Sequence, residues 1–335
     1  VGERVAVAAE LEAEVVGELN AAFNDAGEIV GCGGTPHLLL GDTFAREDAE
    51  LVGDERQAVL DLIAATPELS IVAPDSVSQS MLDVFAEEVD VLKTTVIGVV
   101  GEDLCLERIP GQGRSAICDP KATQANGGDI QQLVTQAFLA RSFEADIALQ
   151  NAGGVRVDIP AGDITINDAF TLLPFANTLV NLELTGAEIK QVLDESVSNF
   201  LDTDDGSTGS YPYAANLRWH VDLGQPAGER FSNIEIRRRG SDAWLPLADD
   251  DVVKTVTNSF LAGGRDGWFT FGDVSDAGRV TDTFIDYAQA FIDYVEQDLQ
   301  GIVEPPACEN YSTQLFTDID GTTLLPDPAF PRACE

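Results

Sequence analysis

Histidine is almost missing from this chain of 335 residues, which holds only His37 and His220. A two-metal hydrolase gathers several imidazole and carboxylate ligands, so two histidines exclude a self-contained centre of that kind. The sequence also has no H-E-x-x-H, C-x-x-C, P-loop or G-x-S-x-G segment. Any catalytic metal centre is therefore expected to come mostly from outside this chain. Lysine is scarce as well, with Lys93, Lys121, Lys190 and Lys254 the whole complement. Nineteen Lys and Arg face 58 Asp and Glu, a formal charge of -39. Such a surface repels nucleic-acid backbones and anionic membranes, so neither is expected as a partner. An anionic ligand would have to be caught by a few focused arginines. No apolar run reaches 18 residues, so no membrane-spanning segment is expected. Val1 opens straight into a helical pattern, with no charged and then apolar leader among these residues.

Hydrophobic residues make up 44% and charged residues 23%, the balance of a packed chain rather than a disordered one. The length suggests about two domains. Of five cysteines, Cys105 and Cys118 lie close in sequence, as do Cys308 and Cys334, and Cys32 is left over. Neither close pair has metal-ligand spacing. Two local disulfides fit an exported protein, with reduced buried cysteines the competing reading.

Apolar residues from Val5 to Phe23 recur at helical spacing, and Gly27 stops that helix. A short strand over Glu28–Val30 runs into Gly31-Cys32-Gly33-Gly34. Ser76–Leu92 reads as an amphipathic helix, followed by a β-branched run at Thr94–Val100. Glu107–Asn126, rich in Gly and Pro, reads as a loop. Gly128–Phe143 is expected as helix and Asp146–Leu149 as a buried strand. Thr178–Leu184, Leu217–Val221, Ile234–Arg237 and Val252–Thr257 read as further strands. Thr185 with Glu188 three positions on makes a capping box. Thr281–Leu299 reads as a helix with a mostly buried stripe of Phe284, Tyr287, Phe291 and Tyr294, and the tail after Pro305 as a surface wrap. Mixed strands and helices without strict alternation imply an α+β fold. The expected divisions are 1–80, 81–300 and 301–335.

Four segments could carry chemistry. Asn151-Ala152-Gly153-Gly154-Val155-Arg156 follows a short apolar strand, and its two glycines allow close backbone approach to a ligand beside Arg156. Leu172-Leu173-Pro174-Phe175 ends an element and presents an aromatic ring at its boundary. Phe260-Leu261-Ala262-Gly263-Gly264-Arg265-Asp266-Gly267 follows a strand and suits a ligand rim. Glu107-Arg108-Ile109-Pro110-Gly111-Gln112-Gly113-Arg114 puts two arginines in a stiff loop, where guanidinium forks can hold phosphate oxygens. Each segment read singly has a plain structural alternative: a tight turn, a core phenylalanine, a simple turn and a solvated loop, respectively.

Taken in order, with Asp163-Ile164-Thr165 and Leu184-Thr185-Gly186 between them, these segments resemble the C-terminal, substrate-binding domain of the 5'-nucleotidase family of metallophosphoesterases, in its secreted bacterial form. The resemblance runs from about Val89 to Phe271. It implies that Phe175 and Phe260 sandwich the nucleobase, that Asp266 meets the sugar, and that Asn151, Gly153, Gly154 and Arg156 contact the nucleotide. Arg114, and Arg108 less securely, match the arginines that hold the phosphate. The partner implied is a small nucleotide or nucleoside, and the location is secreted, periplasmic or cell-surface. The resemblance further implies two divalent metal ions, held by a preceding domain through D-x-H, G-N-H-[ED] and G-H-x-H segments. The first two are absent here, and Gly31–Leu40, with His37, resembles the end of that domain. No metal is expected on this chain, and no catalytic residue within it. The expected function is nucleotide recognition for phosphate-monoester hydrolysis, with a non-catalytic nucleotide-binding module as the alternative. One departure stands out: the family's Gly-Gly-Asp-Gly is Gly264-Arg265-Asp266-Gly267 here.

Overall fold

The computed structural model describes residues 2–9, 15–46 and 49–330. It divides into two compact units, Val1–Glu88 and Val89–Glu335.

The first unit holds a four-stranded sheet in the order Gly2–Ala9, Val15–Phe23, Ile29–Leu40, Leu69–Ile71, with a helix at Gly53–Ala65. The expected helix over Val5–Phe23 is thus two antiparallel strands, paired from Gly2 with Phe23 to Ala9 with Val16. Spacing at 3.6 residues is present there, but so are the β-branched pairs Val5/Val7 and Val15/Val16. The long neighbouring strand Ile29–Leu40 completes the ladder and decides between the two patterns. The helix Ser76–Lys93 spans the division between the units.

The second unit is built on a five-stranded sheet in the order Pro212–Ala215, Ile147–Asn151, Val252–Asn258, Thr178–Thr185, Val280–Asp286. Its strands send apolar side chains to both faces because both are covered, except at the edge strand Val280–Asp286, whose residues are exposed or only partly buried. Ala148, Leu179 and Val256 join one buried cluster with Val134, Phe138, Leu172, Tyr287 and Phe291 from the helices on that side. Ile147, Leu149, Val180, Leu182 and Val253 join a second with Ile189, Val192, Leu193, Phe271 and the Trp219 strand. Alternation along Ile147-Ala148-Leu149 delivers successive side chains to opposite clusters. Each fully buried large side chain contributes about 1.5–3 kcal/mol. The fold is α+β.

Two elements differ from expectation. Thr281–Leu299 begins as the strand Val280–Asp286, and its helix starts only at Tyr287, where the Asp286 carboxylate accepts the Gln289 amide. The alternating β-branched Thr281, Thr283 and Ile285 explain the strand. Phe284 consequently leaves the buried stripe and lies 83% exposed at a positive φ of 57°. The tail after Pro305 is woven in rather than wrapped over the surface: Thr313–Thr317 pairs in parallel with Leu217–Asp222, and Phe316 is buried.

Cys105 and Cys118 are bonded, and Cys32 is free. The expected Cys308–Cys334 pairing involves Cys334, which lies outside the described residues.

The capping box at Thr185 forms in full. The Glu188 carboxylate accepts the Thr185 amide at 2.7 Å, and the Thr185 hydroxyl accepts the Glu188 amide at 3.2 Å. Arg279 grips the same carboxylate through two nitrogens, at 2.6 and 3.0 Å. These bonds, the Arg279 fork first, hold the Glu188 carboxyl down at about 2 from an ordinary 4.5. A depressed carboxyl stabilises the fold only while ionised, so the contribution is complete above about pH 5 and is lost as pH falls towards 2. Glu188→Ala is expected to lose about 1–2 kcal/mol at pH 7. The difference from the unsubstituted chain should be smaller at pH 3 than at pH 7 and approach zero only at about pH 2 and below, as read by urea unfolding at the three pH values.

Candidate functional site

The strands Ile147–Asn151 and Val252–Asn258 are parallel neighbours, with Thr255 opposite Ile147 and Val256 opposite Ala148. Parallel neighbours end on the same edge of a sheet, so the segments that follow them emerge side by side. One is Asn151–Arg156, with a 3-10 turn at Ala152–Gly154. The other is Ser259–Gly267, opened by a short helix that the Asn258 side chain caps through the Leu261 amide at 2.9 Å. A cavity of about 360 Å³ opens between them.

Eight of the nine expected residues line this cavity: Arg108, Asn151, Gly153, Gly154, Arg156, Phe175, Phe260 and Asp266. Arg114 does not line it, yet its charge acts on Arg108. The lining also includes Asn177, Ser207, Gly209 and Asn258, which the sequence reading missed. Asn258 carried a signal, since an Asn that ends a strand and precedes a helical turn is a natural cap. Ser207 and Gly209 come from the loop after the Gly186–Leu201 helix, and only the fold brings them here.

Phe175 and Phe260 are 47% and 43% exposed, so neither is a core ring. Each is nonetheless held by its backbone. The Phe175 amide donates to the Tyr287 hydroxyl at 2.9 Å. Asn177 ties the two aromatic segments together, because the Ser259 hydroxyl donates to its side-chain oxygen at 3.2 Å. The Arg156 guanidinium sits 5.7 Å from the centre of the Phe175 ring, within cation–π range.

Asp266 occupies the left-handed region at φ 58°, a conformation that aims its carboxylate inward. It accepts the Asn151 side-chain amide at 2.8 Å. The other Asn151 atom, Oδ1, is buried with no hydrogen-bond partner. Gly153 is needed for contact: a Cβ there would stand 3.0 Å from the Gly209 Cα. Arg265, the departure from the family pattern, is exposed and does not line the cavity. Close backbone approach is kept by Gly264, whose φ of 71° and packing on Gly272 suit glycine.

The electrostatics are unusual for this composition. Among the described residues, Arg108, Arg114 and Arg156 form no ion pair with a carboxylate, although acids outnumber bases 58 to 19. Burial first, and then repulsion from Arg114 and Arg156, pushes the Arg108 guanidinium below its ordinary value, while Asp266 pulls the other way. The Arg108 Nη1 reaches only a hydroxyl, Ser207 Oγ, at 3.4 Å.

The model of the 5'-nucleotidase C-terminal domain family matches residues 108–273, the stretch that supplies the whole cavity lining. Residues 108–273 belong to the 5'-nucleotidase family, as its C-terminal domain. An NAD 5'-nucleotidase of Haemophilus influenzae is 30% identical over 292 residues, 84% of this chain and 47% of that protein. A probable 5'-nucleotidase of Treponema pallidum is 33% identical over 293 residues, 84% of this chain and 48% of that protein. The solved structure of the Haemophilus influenzae NAD nucleotidase superposes with a TM-score of 0.60 at 27% identity, covering 94% of this chain and 57% of that one. A 5'-nucleotidase precursor from Thermus thermophilus superposes with a TM-score of 0.55 at 27% identity, covering 90% and 53%. The chain spans about half the length of the curated relatives it matches.

The metals implied by the 5'-nucleotidase resemblance do not fit the side chains present. Among the described residues no group of three or more His, Cys, Asp or Glu is placed to hold an ion. His37 Nε2 lies 3.2 Å from a Glu18 carboxylate oxygen, and His220 Nδ1 lies 2.9 Å from the Asn233 amide. No helix among the described residues is long and apolar enough to cross a membrane.

The exposure of the two rings in this 5'-nucleotidase domain makes a stability prediction. A core phenylalanine cut to alanine costs about 3–5 kcal/mol. Phe175→Ala and Phe260→Ala should each cost less than about 1.5 kcal/mol, since roughly half of each ring is already in water. Denaturant unfolding of the two variants measures this, and a core-sized loss in both would remove the rings from the cavity's working surface.

Proposed function

We propose that this chain recognises a nucleotide for a 5'-nucleotidase that hydrolyses the phosphate monoester to a nucleoside and phosphate. The observation that carries the reading is a polarised cavity. Two half-exposed phenylalanine rings stand in it together with arginines that pair with no carboxylate among the described residues, in a chain of formal charge -39. Phe175 and Phe260 would take the base between them, a contact open to any base through its π-face. The Asn151–Asp266 pair would receive the sugar hydroxyls, the Asp266 carboxylate as acceptor. Arg108 and Arg156, with Arg114 behind them, would hold the phosphate, and their mutual repulsion is relieved when an anion arrives.

The contribution of this chain is positioning: it fixes base, sugar and phosphate relative to the attacking groups. The chemical step and its metal ions are assigned to residues outside those described here. The Cys105–Cys118 bridge supports an oxidising location, whether periplasm, cell surface or medium.

Calorimetry with AMP, adenosine and inorganic phosphate tests the reading. AMP should bind, with adenosine weaker. Phe175→Ala and Phe260→Ala should each lose about 1–3 kcal/mol of AMP binding, and Arg108→Gln should lose the advantage of AMP over adenosine. The purified chain with Mn²⁺, Zn²⁺ or Co²⁺ should release no phosphate from AMP. Sustained metal-dependent release would bring the chemistry back into this chain.

A further inference from the structure

Glu107 opens the arginine-bearing loop, yet it does not line the cavity. Its side chain is fully buried, and among the described residues it has no cationic partner. A buried carboxylate without a counter-ion is costly unless hydrogen bonds surround it. Here they do, and they come from the loop itself. Oε1 accepts the Arg108 amide at 3.0 Å and the Arg114 amide at 3.2 Å. Oε2 accepts the Gly113 amide at 2.7 Å and the Thr123 hydroxyl at 3.0 Å. The backbone of Glu107 is anchored in turn: its amide donates to Gln131 Oε1 at 3.2 Å, and its carbonyl accepts the Tyr213 hydroxyl at 2.9 Å. These partners belong to the helix Asp129–Arg141 and the strand Pro212–Ala215 of the core.

We propose that Glu107 is the positioning residue of the arginine loop, an internal anion around which residues 107–114 fold so that Arg108 and Arg114 present their charge at the phosphate end of the cavity. This rests on the nucleotide reading above. The geometry is specific to the two arginines, since both residues that carry them donate their amides to the same carboxylate oxygen. Gly111 and Gly113, at φ 73° and 80°, let the chain double back far enough for this. Asp158 does similar work on the outer part of the loop, accepting the Leu106 amide at 2.5 Å, the Ser115 hydroxyl at 2.7 Å and the Ala116 amide at 2.8 Å. The Cys105–Cys118 bond closes the same segment. The loop would therefore hold its shape before an anion arrives, and binding would cost less ordering of the two arginines.

The experiment uses the full chain and two ligands that differ by the phosphate, AMP and adenosine. Glu107→Gln keeps the size of the side chain but turns one oxygen into a donor facing donors. AMP affinity should fall about 10- to 100-fold, while adenosine affinity changes by less than about threefold. Thr123→Val removes one of the four donors without altering charge, and should lower AMP affinity by about threefold with adenosine unchanged. It carries the test if Glu107→Gln does not fold. An advantage of AMP over adenosine that survives intact in both folded variants would overturn the positioning role. Failure of the unsubstituted chain to bind AMP would overturn the nucleotide reading itself.

Discussion

The cavity depends on one pairing, the parallel contact between Ile147–Asn151 and Val252–Asn258. Because these neighbours run the same way, Asn151 and the Phe260–Asp266 segment leave the sheet at one edge, although more than a hundred residues separate them. The pairing is fixed from inside: Ala148 and Val256 feed one buried cluster and Ile147, Leu149 and Val253 the other, so a register slip of one residue would exchange side chains between the two. Asn258 strengthens the junction, donating its amide to Gln150 Oε1 at 2.5 Å while its own oxygen caps the turn that carries Phe260. Rigid strand ends beneath, and short polar segments above, suit a surface that has to meet a ligand in a fixed pose.

The second constraint is charge. A chain of formal charge -39 repels anions at long range, so an anionic ligand can be held only by local cations that the chain's own acids leave alone. Many cations are claimed: Lys93, Lys121, Arg141, Lys190, Arg218, Arg230, Arg238, Lys254 and Arg279 all pair with carboxylates. Among the described residues Arg108, Arg114 and Arg156 form no such pair. The acids near the arginine loop, Glu107 and Asp158, turn their oxygens to backbone amides and hydroxyls instead. A carboxylate employed in this way shapes the loop without cancelling the guanidinium charge.

Much of this was legible in the sequence. N-x-G-G-x-R, L-P-F and F-x-A-x-x-x-D-G each follow a strand or helix end; singly each had a plain structural alternative, and it was their order that pointed to one shared cavity, which they line. The capping box at Thr185 and Glu188 was equally local and formed as read. What failed was where two periodicities compete. Val5–Phe23 satisfies helical spacing, but the long neighbouring strand Ile29–Leu40 favours the ladder, and a partner strand further along the chain cannot be seen in a local window. At Thr281–Ile285 the aromatic spacing masked the β-branched alternation. Asn177, Ser207 and Gly209 were missed because only tertiary packing brings them to the cavity, as when Gly209 closes on Gly153. Glu107 was read as part of the loop but not as its organiser, since nothing in a sequence shows which way a carboxylate points.

The two ends of the cavity are supported by different parts of the fold. The rings of Phe175 and Phe260 rest on the sheet edge and on the helix Tyr287–Asp293, through the Tyr287 hydroxyl and Asn177. Arg108 and Arg114 rest on a loop closed by a disulfide, folded about Glu107 and anchored to the helix Asp129–Arg141. Substitutions more than about 7–10 Å apart with no shared partner act nearly additively. On the proposed reading, separate supports would let the base end change its selectivity without loosening the phosphate end. Arg156 is the exception that joins them, with its guanidinium over the Phe175 ring and its Nη1 bonded to the Gly153 carbonyl at 3.1 Å. A change at Arg156 would be felt at both ends, so on the proposed reading it is the arginine that would couple base stacking to anion binding.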